Sequence, residues 1–217
     1  MIVYGSSFSP FVRKTLAYIS EKGLSAELIP ANPAQPDPEF KKVSPFGKMP
    51  GFRDGDFGIA DSTAIITYLE AKHPAPSLLP ADPEARARTI WFEELADTIL
   101  NPCMGKMFFN RFVAPRFFGR DGDEAIAAEA ESKELPPILD YLEGAIPEGE
   151  YLVGGGLTVA DLSVASAFIN LDHIACGQIR RGTRRSSPTW RGSSRVPASP
   201  SMSPRRRRSS ALEVDGT

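Results

Sequence analysis

Three short motifs in the first third of the chain contain residue types that bind anions and peptide groups. The first is Ser9, placed directly before Pro10. Serine is a favoured helix N-cap, and proline suits the first helical turn. A helix N-terminus carries free N–H groups and a partial positive charge, so it attracts an anion and lowers the pKa of a thiol bound there. Ser9 is therefore either a helix cap alone or a cap that also donates a hydrogen bond to a thiolate.

The second motif is Lys48-Met49-Pro50, which precedes a strand predicted to begin at Gly51. The Met49–Pro50 bond is a candidate cis peptide, since such bonds occur almost only before proline. A turn of this kind would present the Met49 N–H and C=O to an extended peptide, as a sheet edge does. The simpler interpretation is that Pro50 only begins a strand.

The third motif is Asp61-Ser62, which opens a segment with apolar residues at helical spacing up to His73. Both residues are favoured N-caps, and capping alone would explain them. The functional interpretation is that Ser62 and its backbone N–H bind a substrate carboxylate at a second helix N-terminus.

The elements predicted around these motifs begin with a short strand over Ile2-Val3-Tyr4. A helix is predicted from Pro10, with an apolar face and an end at Gly23. Residues 1–75 resemble the N-terminal domain of a bacterial cytosolic glutathione transferase, above all in the opening stretch 4–14. This resemblance implies an α/β thioredoxin-like domain that holds glutathione, followed by an all-α helical-bundle domain.

The resemblance also implies roles for the motif residues. Ser9 would activate the glutathione thiol. Other branches of the family carry their hydroxyl elsewhere, so Ser7 is the second candidate and Tyr4 the third. The residues implied in glutathione binding are Ser9, Phe11, Lys48, Met49, Pro50, Asp61 and Ser62. Met49 would pair with the cysteinyl part through its backbone, Pro50 would be the cis-proline, and Asp61 with Ser62 would grip the γ-glutamyl end. Lys48 would reach an anionic end of glutathione or remain solvated.

The second half of the chain has the pattern of a helical domain. We predict a Pro-rich linker at 76–82, a helical domain at 83–175 that begins with Asp82 as cap, and a kink or break at Pro136-Pro137. Thr158 and Asp161 form a capping box, which the resemblance interprets as a helix-nucleating motif. An aromatic run in the first helices is typical of core. The resemblance places the electrophile pocket there, lined by Phe8, Phe108 and Phe112.

The last 42 residues, 176–217, differ sharply from the rest of the chain. From Arg180 onward there are ten Arg, nine Ser and four Pro among 38 residues. Residues 1–179 carry 15 Lys and Arg against 25 Asp and Glu, whereas this tail carries ten Arg against two acids. Such a composition predicts disorder. The preferred explanation is a frameshift near Ala175-Cys176; the rival is a native basic tail with non-specific electrostatic contacts.

Other features of the sequence limit the possible functions. Two cysteines, Cys103 and Cys176, are too few for a disulfide framework and suit a reducing cytoplasm. Neither a leader nor a long apolar run is visible, so a cytoplasmic protein without membrane spans is expected. We expect no metal, and no cofactor beyond glutathione as co-substrate. We also expect no specific nucleic-acid partner.

The function implied is a detoxifying glutathione transferase, usually a homodimer, that conjugates the thiolate to a small hydrophobic electrophile. The alternatives are a non-catalytic member of the family that acts through protein partners and an inactive frameshifted product.

Overall fold

A four-stranded mixed sheet forms the first part of the protein in the computed structural model, which describes residues 1–32, 37–147 and 149–174. The predicted tail, with its hypothesised frameshift and Cys176, lies outside the described residues. The strands are β1 (Ile2–Gly5), β2 (Glu27–Pro30), β3 (Gly51–Asp54) and β4 (Phe57–Ala60), in the order β2-β1-β3-β4. β1 and β2 are parallel, and both β1 and β4 run antiparallel to β3.

Three helices accompany this sheet: α1 (Pro10–Glu21), α2 (Pro38–Val43) and α3 (Ser62–Lys72). α1 is the crossover that a parallel strand pair requires. Val3 and Phe52 are fully buried beneath α1 and α3, together with Ile65 and Leu69 of α3. Because side chains alternate along a strand, Tyr4 faces the other way and packs with Phe40 and Val43 of α2.

The rest of the described chain is helical. Its helices are α4 (Pro83–Leu95), α5 (Asn101–Phe108), α6 (Ala114–Phe117), α7 (Glu124–Glu129), α8 (Leu135–Ala145) and α9 (Val159–Ile174). Their core is built around Leu100, Met104 and Met107, together with Leu135 and Leu171. Val159 and Leu162 of α9 belong instead to the core of the sheet, so α9 is the helix that joins the two parts.

Three π-helical turns interrupt this part of the protein, at Ala96–Leu100, Phe109–Val113 and Ala130–Glu134. Each is followed by an α-helix with proline at its second position: Pro102, Pro115 and Pro136. Proline has no N–H, and its ring collides with the carbonyl four residues earlier, so the local widening accommodates it. The break predicted at Pro136-Pro137 therefore takes the form of a π-helical turn that ends immediately before Leu135.

A buried ion-pair cluster fastens α1 to α3 and to the start of the helical part. The Lys14 ammonium lies 3.1 Å from Glu93 Oε1 and 2.6 Å from Asp97 Oδ2. Thr63 of α3 donates to the same Glu93 oxygen at 2.9 Å. Burial raises the pKa of Asp97, although the attraction of Lys14 opposes this rise. These contacts join the two helices whose N-termini carry the first and third motifs.

The structure confirms the fold class and most local predictions. α1 starts at Pro10, and the chain turns at Gly23 with φ +68°. α3 is capped by Asp61, and α4 by Asp82. None of the helices in the described ranges is both long and apolar enough to cross a bilayer.

The Asp161 half of the predicted capping box is present before α9. One oxygen of Asp161 accepts the Thr158 N–H at 2.9 Å, while the other accepts the Leu152 N–H at 2.8 Å. The Thr158 hydroxyl lies 3.0 Å from the same carboxylate. Burial raises the pKa of Asp161, opposed by these hydrogen bonds. The box therefore fixes both the start of α9 and the loop before it.

Candidate functional site

The strand register brings the three motifs to one end of the sheet. Tyr4 of β1 lies beside Gly51 of β3, and Gly51 lies beside Ala60 of β4. The loop after β1, the turn before β3 and the residues after β4 therefore meet at the same edge. Asp61 N–H donates to the Pro50 carbonyl at 3.3 Å and so connects the second motif directly to the third.

Ser9 is the N-cap of α1. Its Oγ accepts the Val12 N–H at 3.4 Å, and its own N–H donates to the Ser6 carbonyl at 2.9 Å. The capping interpretation is thus confirmed. Capping uses an oxygen lone pair, and no described residue accepts the Ser9 hydroxyl proton. The hydroxyl is half-buried and keeps one donor for a ligand at the positive end of α1.

The other two candidates for the activating hydroxyl, Ser7 and Tyr4, differ in their exposure to solvent. Ser7 is half-buried, and its carbonyl accepts a hydrogen bond from the Arg13 guanidinium at 2.8 Å. Tyr4 is only 2% exposed, and its ring lies 6.1 Å from that of Phe40. This burial disfavours Tyr4 as the group that meets a thiol and leaves the two serines.

The Met49–Pro50 peptide bond is cis, as predicted. The preceding loop is held by the Ser44 hydroxyl, which donates to the Lys48 carbonyl at 2.7 Å. Within the described part of the chain, the Met49 N–H and C=O find no hydrogen-bond partner. The Lys48 side chain is exposed and forms no ion pair with the described residues. Met49 therefore offers one unused donor and one unused acceptor to an extended peptide.

Asp61 and Ser62 begin α3 in an unusual conformation. Asp61 has φ 81°, a region that costs a non-glycine residue on the order of 1 kcal/mol. Its carboxylate accepts the N–H groups of Thr63 and Ala64, each at 3.0 Å. Ser62 is 1% exposed, and its Oγ has no partner among the described residues. A buried hydroxyl without a partner is costly, so this one is a ready contact for a ligand.

An aromatic cluster lies directly beside Ser9. The ring of Phe8 is 5.4 Å from Phe112, 5.5 Å from Phe117 and 6.4 Å from Phe108. The three side chains predicted to line a second pocket thus lie together. Phe11, in contrast, has no ring contact with this cluster among the described residues. Its predicted contact with glutathione stays a prediction.

His173 of α9 also belongs to the aromatic cluster. Its ring is 5.3 Å from Phe112 and 5.6 Å from Phe8. Partial burial and the positive charge of Arg13 lower the pKa of His173, whereas the nearby Asp172 carboxylate opposes this shift. No local sequence pattern relates His173 to Phe8, which lies far earlier in the chain, so this contact was not predicted.

Two family models match the chain. "Glutathione S-transferase, N-terminal domain" covers residues 3–77, and "Glutathione S-transferase, C-terminal domain" covers residues 108–184. A glutathione S-transferase from Hyoscyamus muticus is 34% identical over 173 residues, which span 77% of this chain and 80% of the relative. The chain belongs to the glutathione S-transferase family.

Two further comparisons agree with this family. Glutathione S-transferase Z2 from Arabidopsis thaliana is 51% identical over 147 residues, covering 66% of this chain and 64% of that protein. The crystal structure of glutathione transferase F2 from Populus trichocarpa has a TM-score of 0.69 at 26% identity. The alignment covers 80% of this chain and 82% of the Populus trichocarpa chain. These three relatives are plant proteins, so they support the family but not its bacterial branch.

Proposed function

We propose that this protein is a glutathione transferase that conjugates the thiolate of glutathione to a small hydrophobic electrophile. The observation that carries the proposal is the meeting of three motifs at one end of the sheet. Each offers unused hydrogen-bonding groups, and an aromatic cluster lies beside them. Membership of the family supports glutathione as the ligand.

In this proposal, glutathione lies along the edge formed by the second and third motifs. Its cysteinyl backbone pairs with the free N–H and C=O of Met49. Its γ-glutamyl carboxylate meets the N-terminus of α3 and the partnerless hydroxyl of Ser62. Lys48 supplies an exposed cation for an anionic end of the peptide. The thiol then points toward the loop that carries Ser9.

Ser9 activates the thiol as a donor rather than as a base. The thiol loses its proton to water, and the Ser9 O–H donates to the resulting sulfur anion at the positive end of α1. The sulfur then attacks an electrophilic carbon that rests against Phe8, Phe108 and Phe112. A carbon–sulfur bond forms, and for an aryl halide the halide leaves with its bonding electrons. Orientation of the two substrates supplies the remaining acceleration.

We also propose that the protein is a homodimer, as expected from the family. The supporting observation is Phe46, whose side chain is 91% exposed at the tip of the loop between α2 and β3. A large apolar side chain standing free in this way is suited to a pocket on a second copy.

Two serine variants test the proposed chemistry. Ser9→Ala removes a hydrogen bond to a charged sulfur, which is worth about 1.5 to 3 kcal/mol, so kcat/KM for an activated aryl chloride is expected to fall about 10- to 100-fold. Ser7→Ala is the matched control and should retain most activity. Phe8→Ala should raise the KM for the aryl chloride while leaving that for glutathione nearly unchanged.

Two results would contradict the proposal. The first is full activity in Ser9→Ala together with loss of activity in Ser7→Ala, which would move the activating role to Ser7. The second is the absence of wild-type turnover above background in a protein whose melting temperature glutathione does raise. That result would favour the non-catalytic alternative.

A further inference from the structure

The Arg13 guanidinium is the most unusual buried charge near the proposed thiol site. Arg13 lies in the first turn of α1 and is 5% exposed. Its Nη1 donates to the Ser7 carbonyl at 2.8 Å. Its Nη2 donates to the Ser166 carbonyl at 2.5 Å and to Asn170 Oδ1 at 2.8 Å. All three acceptors are formally neutral, and Nε has no partner among the described residues.

A buried cation surrounded by neutral acceptors is energetically costly. Buried charges in proteins are normally paired with an opposite charge, because desolvation otherwise outweighs the hydrogen bonds formed. No carboxylate among the described residues lies within ion-pair distance of Arg13. Burial lowers its pKa to about 10, so the group still carries its charge at neutral pH. The neighbouring Lys14, by contrast, is paired with two carboxylates.

The other charged groups around this position do not neutralise Arg13. On α9, Asp172 and His173 are both exposed, and neither forms an ion pair with Arg13. Partial burial and the charge of Arg13 lower the pKa of His173. On α6, Arg116 lies 5.2 Å from the Phe112 ring and adds a second positive charge on that side. None of these described groups forms an ion pair with Arg13.

We propose that Arg13 is a positioning residue whose unpaired charge stabilises the glutathione thiolate through the loop that carries Ser7 and Ser9. This inference rests on the proposed function. The guanidinium holds the Ser7 carbonyl, two residues before Ser9, and so keeps the hydroxyl and the helix N-terminus in place. The bound sulfur anion then lies in the field of a cation that no described carboxylate neutralises. Ser166 and Asn170 of α9 accept hydrogen bonds from the guanidinium and so fix its orientation.

The test uses two substitutions at Asn170 in the full chain. Asn170→Asp keeps the shape and the oxygen acceptor but places a carboxylate against Arg13, which neutralises its charge. Asn170→Ala removes the acceptor and leaves the charge. The readout is the pH titration of the bound glutathione thiol, followed by the ultraviolet absorbance of the thiolate. Thermal melts of both variants confirm that they fold.

We expect Asn170→Asp to raise the pKa of the bound thiol by about one pH unit, for a unit charge on the order of 10 Å away. The acid limb of the pH profile of kcat/KM with an activated aryl chloride should move to higher pH by the same amount. Asn170→Ala should shift the titration much less than Asn170→Asp, because the Arg13 charge remains and the Ser166 carbonyl still holds the guanidinium. Arg13→Lys should preserve the low thiol pKa, and Arg13→Met should raise it.

The outcomes separate this inference from the proposed function. If Asn170→Asp titrates like the wild type, or Asn170→Ala shifts as far as Asn170→Asp, Arg13 is only a structural clamp and the inference is wrong. The transferase assignment would then stand. If wild-type protein binds glutathione without lowering the thiol pKa, the proposed chemistry fails, and the inference fails with it.

Discussion

Removal of the Lys14 ammonium tests how the proposed glutathione site is held together. Lys14 and Glu93 have side chains that are each 1% exposed, whereas that of Asp97 is 15% exposed. Glu93 already has one buried oxygen without a partner among the described residues. In Lys14→Met the methionine fills similar space, but two carboxylates lose their cation. Breaking a buried pair from one side costs about 3 to 5 kcal/mol.

The solvent exposure of each carboxylate determines how large the loss of stability in Lys14→Met is. Asp97 is partly open to water and can be rehydrated, so most of the cost comes from Glu93. For a chain of 217 residues, 1 kcal/mol shifts the melting midpoint by roughly 2 to 4 °C. We therefore expect Lys14→Met to melt about 10 °C below the wild type. A urea titration should give the corresponding loss in free energy of unfolding.

The loss of folding stability in Lys14→Met should also depend on pH. The pKa of Asp97 is raised in the folded protein, chiefly by burial, so its ionisation makes folding less favourable as the pH rises through that folded-state pKa. Without Lys14 this pKa rises further. The difference between wild type and Lys14→Met should therefore shrink as the carboxylates become protonated at acidic pH.

Two further variants complete the experiment. Adding Glu93→Gln to Lys14→Met removes the uncompensated charge and keeps an acceptor for Thr63, so it should restore at least half of the lost stability. Lys133→Met breaks an exposed pair with Glu129 and should leave the melting midpoint unchanged. A loss below about 1 kcal/mol in Lys14→Met, or no recovery in the double variant, would refute this account of the cluster.

Two other predictions concern the ligand and the assembly. Ser62→Ala removes a buried hydroxyl that has no partner among the described residues, so stability should not fall and should rise slightly. The glutathione dissociation constant should rise about tenfold or more in calorimetry, and unchanged affinity would remove Ser62 from the site. Phe46→Ser should shift the protein toward monomer in sedimentation velocity, whereas Phe118→Ser, at another exposed phenylalanine, should not. Equal behaviour of these two variants would argue against Phe46 as a dimer contact.

Features that depend on neighbours in the chain could be predicted from sequence. Ser9, Asp61 and Asp82 cap helices because their side chains reach N–H groups two or three residues ahead. The Thr158–Asp161 box spans the same short distance. The cis bond before Pro50 was a candidate because only proline makes that isomer common. The family resemblance then placed these local signals in one site.

The form of the break near Pro136 was only partly predictable. Proline excludes a regular helix in the turn before it, and this much follows from its ring and missing N–H. Whether the chain bends, stops or widens depends on what packs around it. Here the chain widens into π-helical turns, three times in the helical part that the structure describes.

By itself, the sequence determined where the capped helices α1, α3, α4 and α9 begin, which motif residues carry hydrogen-bonding groups and which family the first 75 residues resemble. Only the tertiary structure decided which of those groups remain without partners. The pairing of Arg13 with Asn170 and of Lys14 with Glu93 spans 157 and 79 positions, and no local pattern encodes such contacts. The physical reason is that a cap is satisfied within one turn, whereas the charge around a buried side chain depends on every element that packs against it.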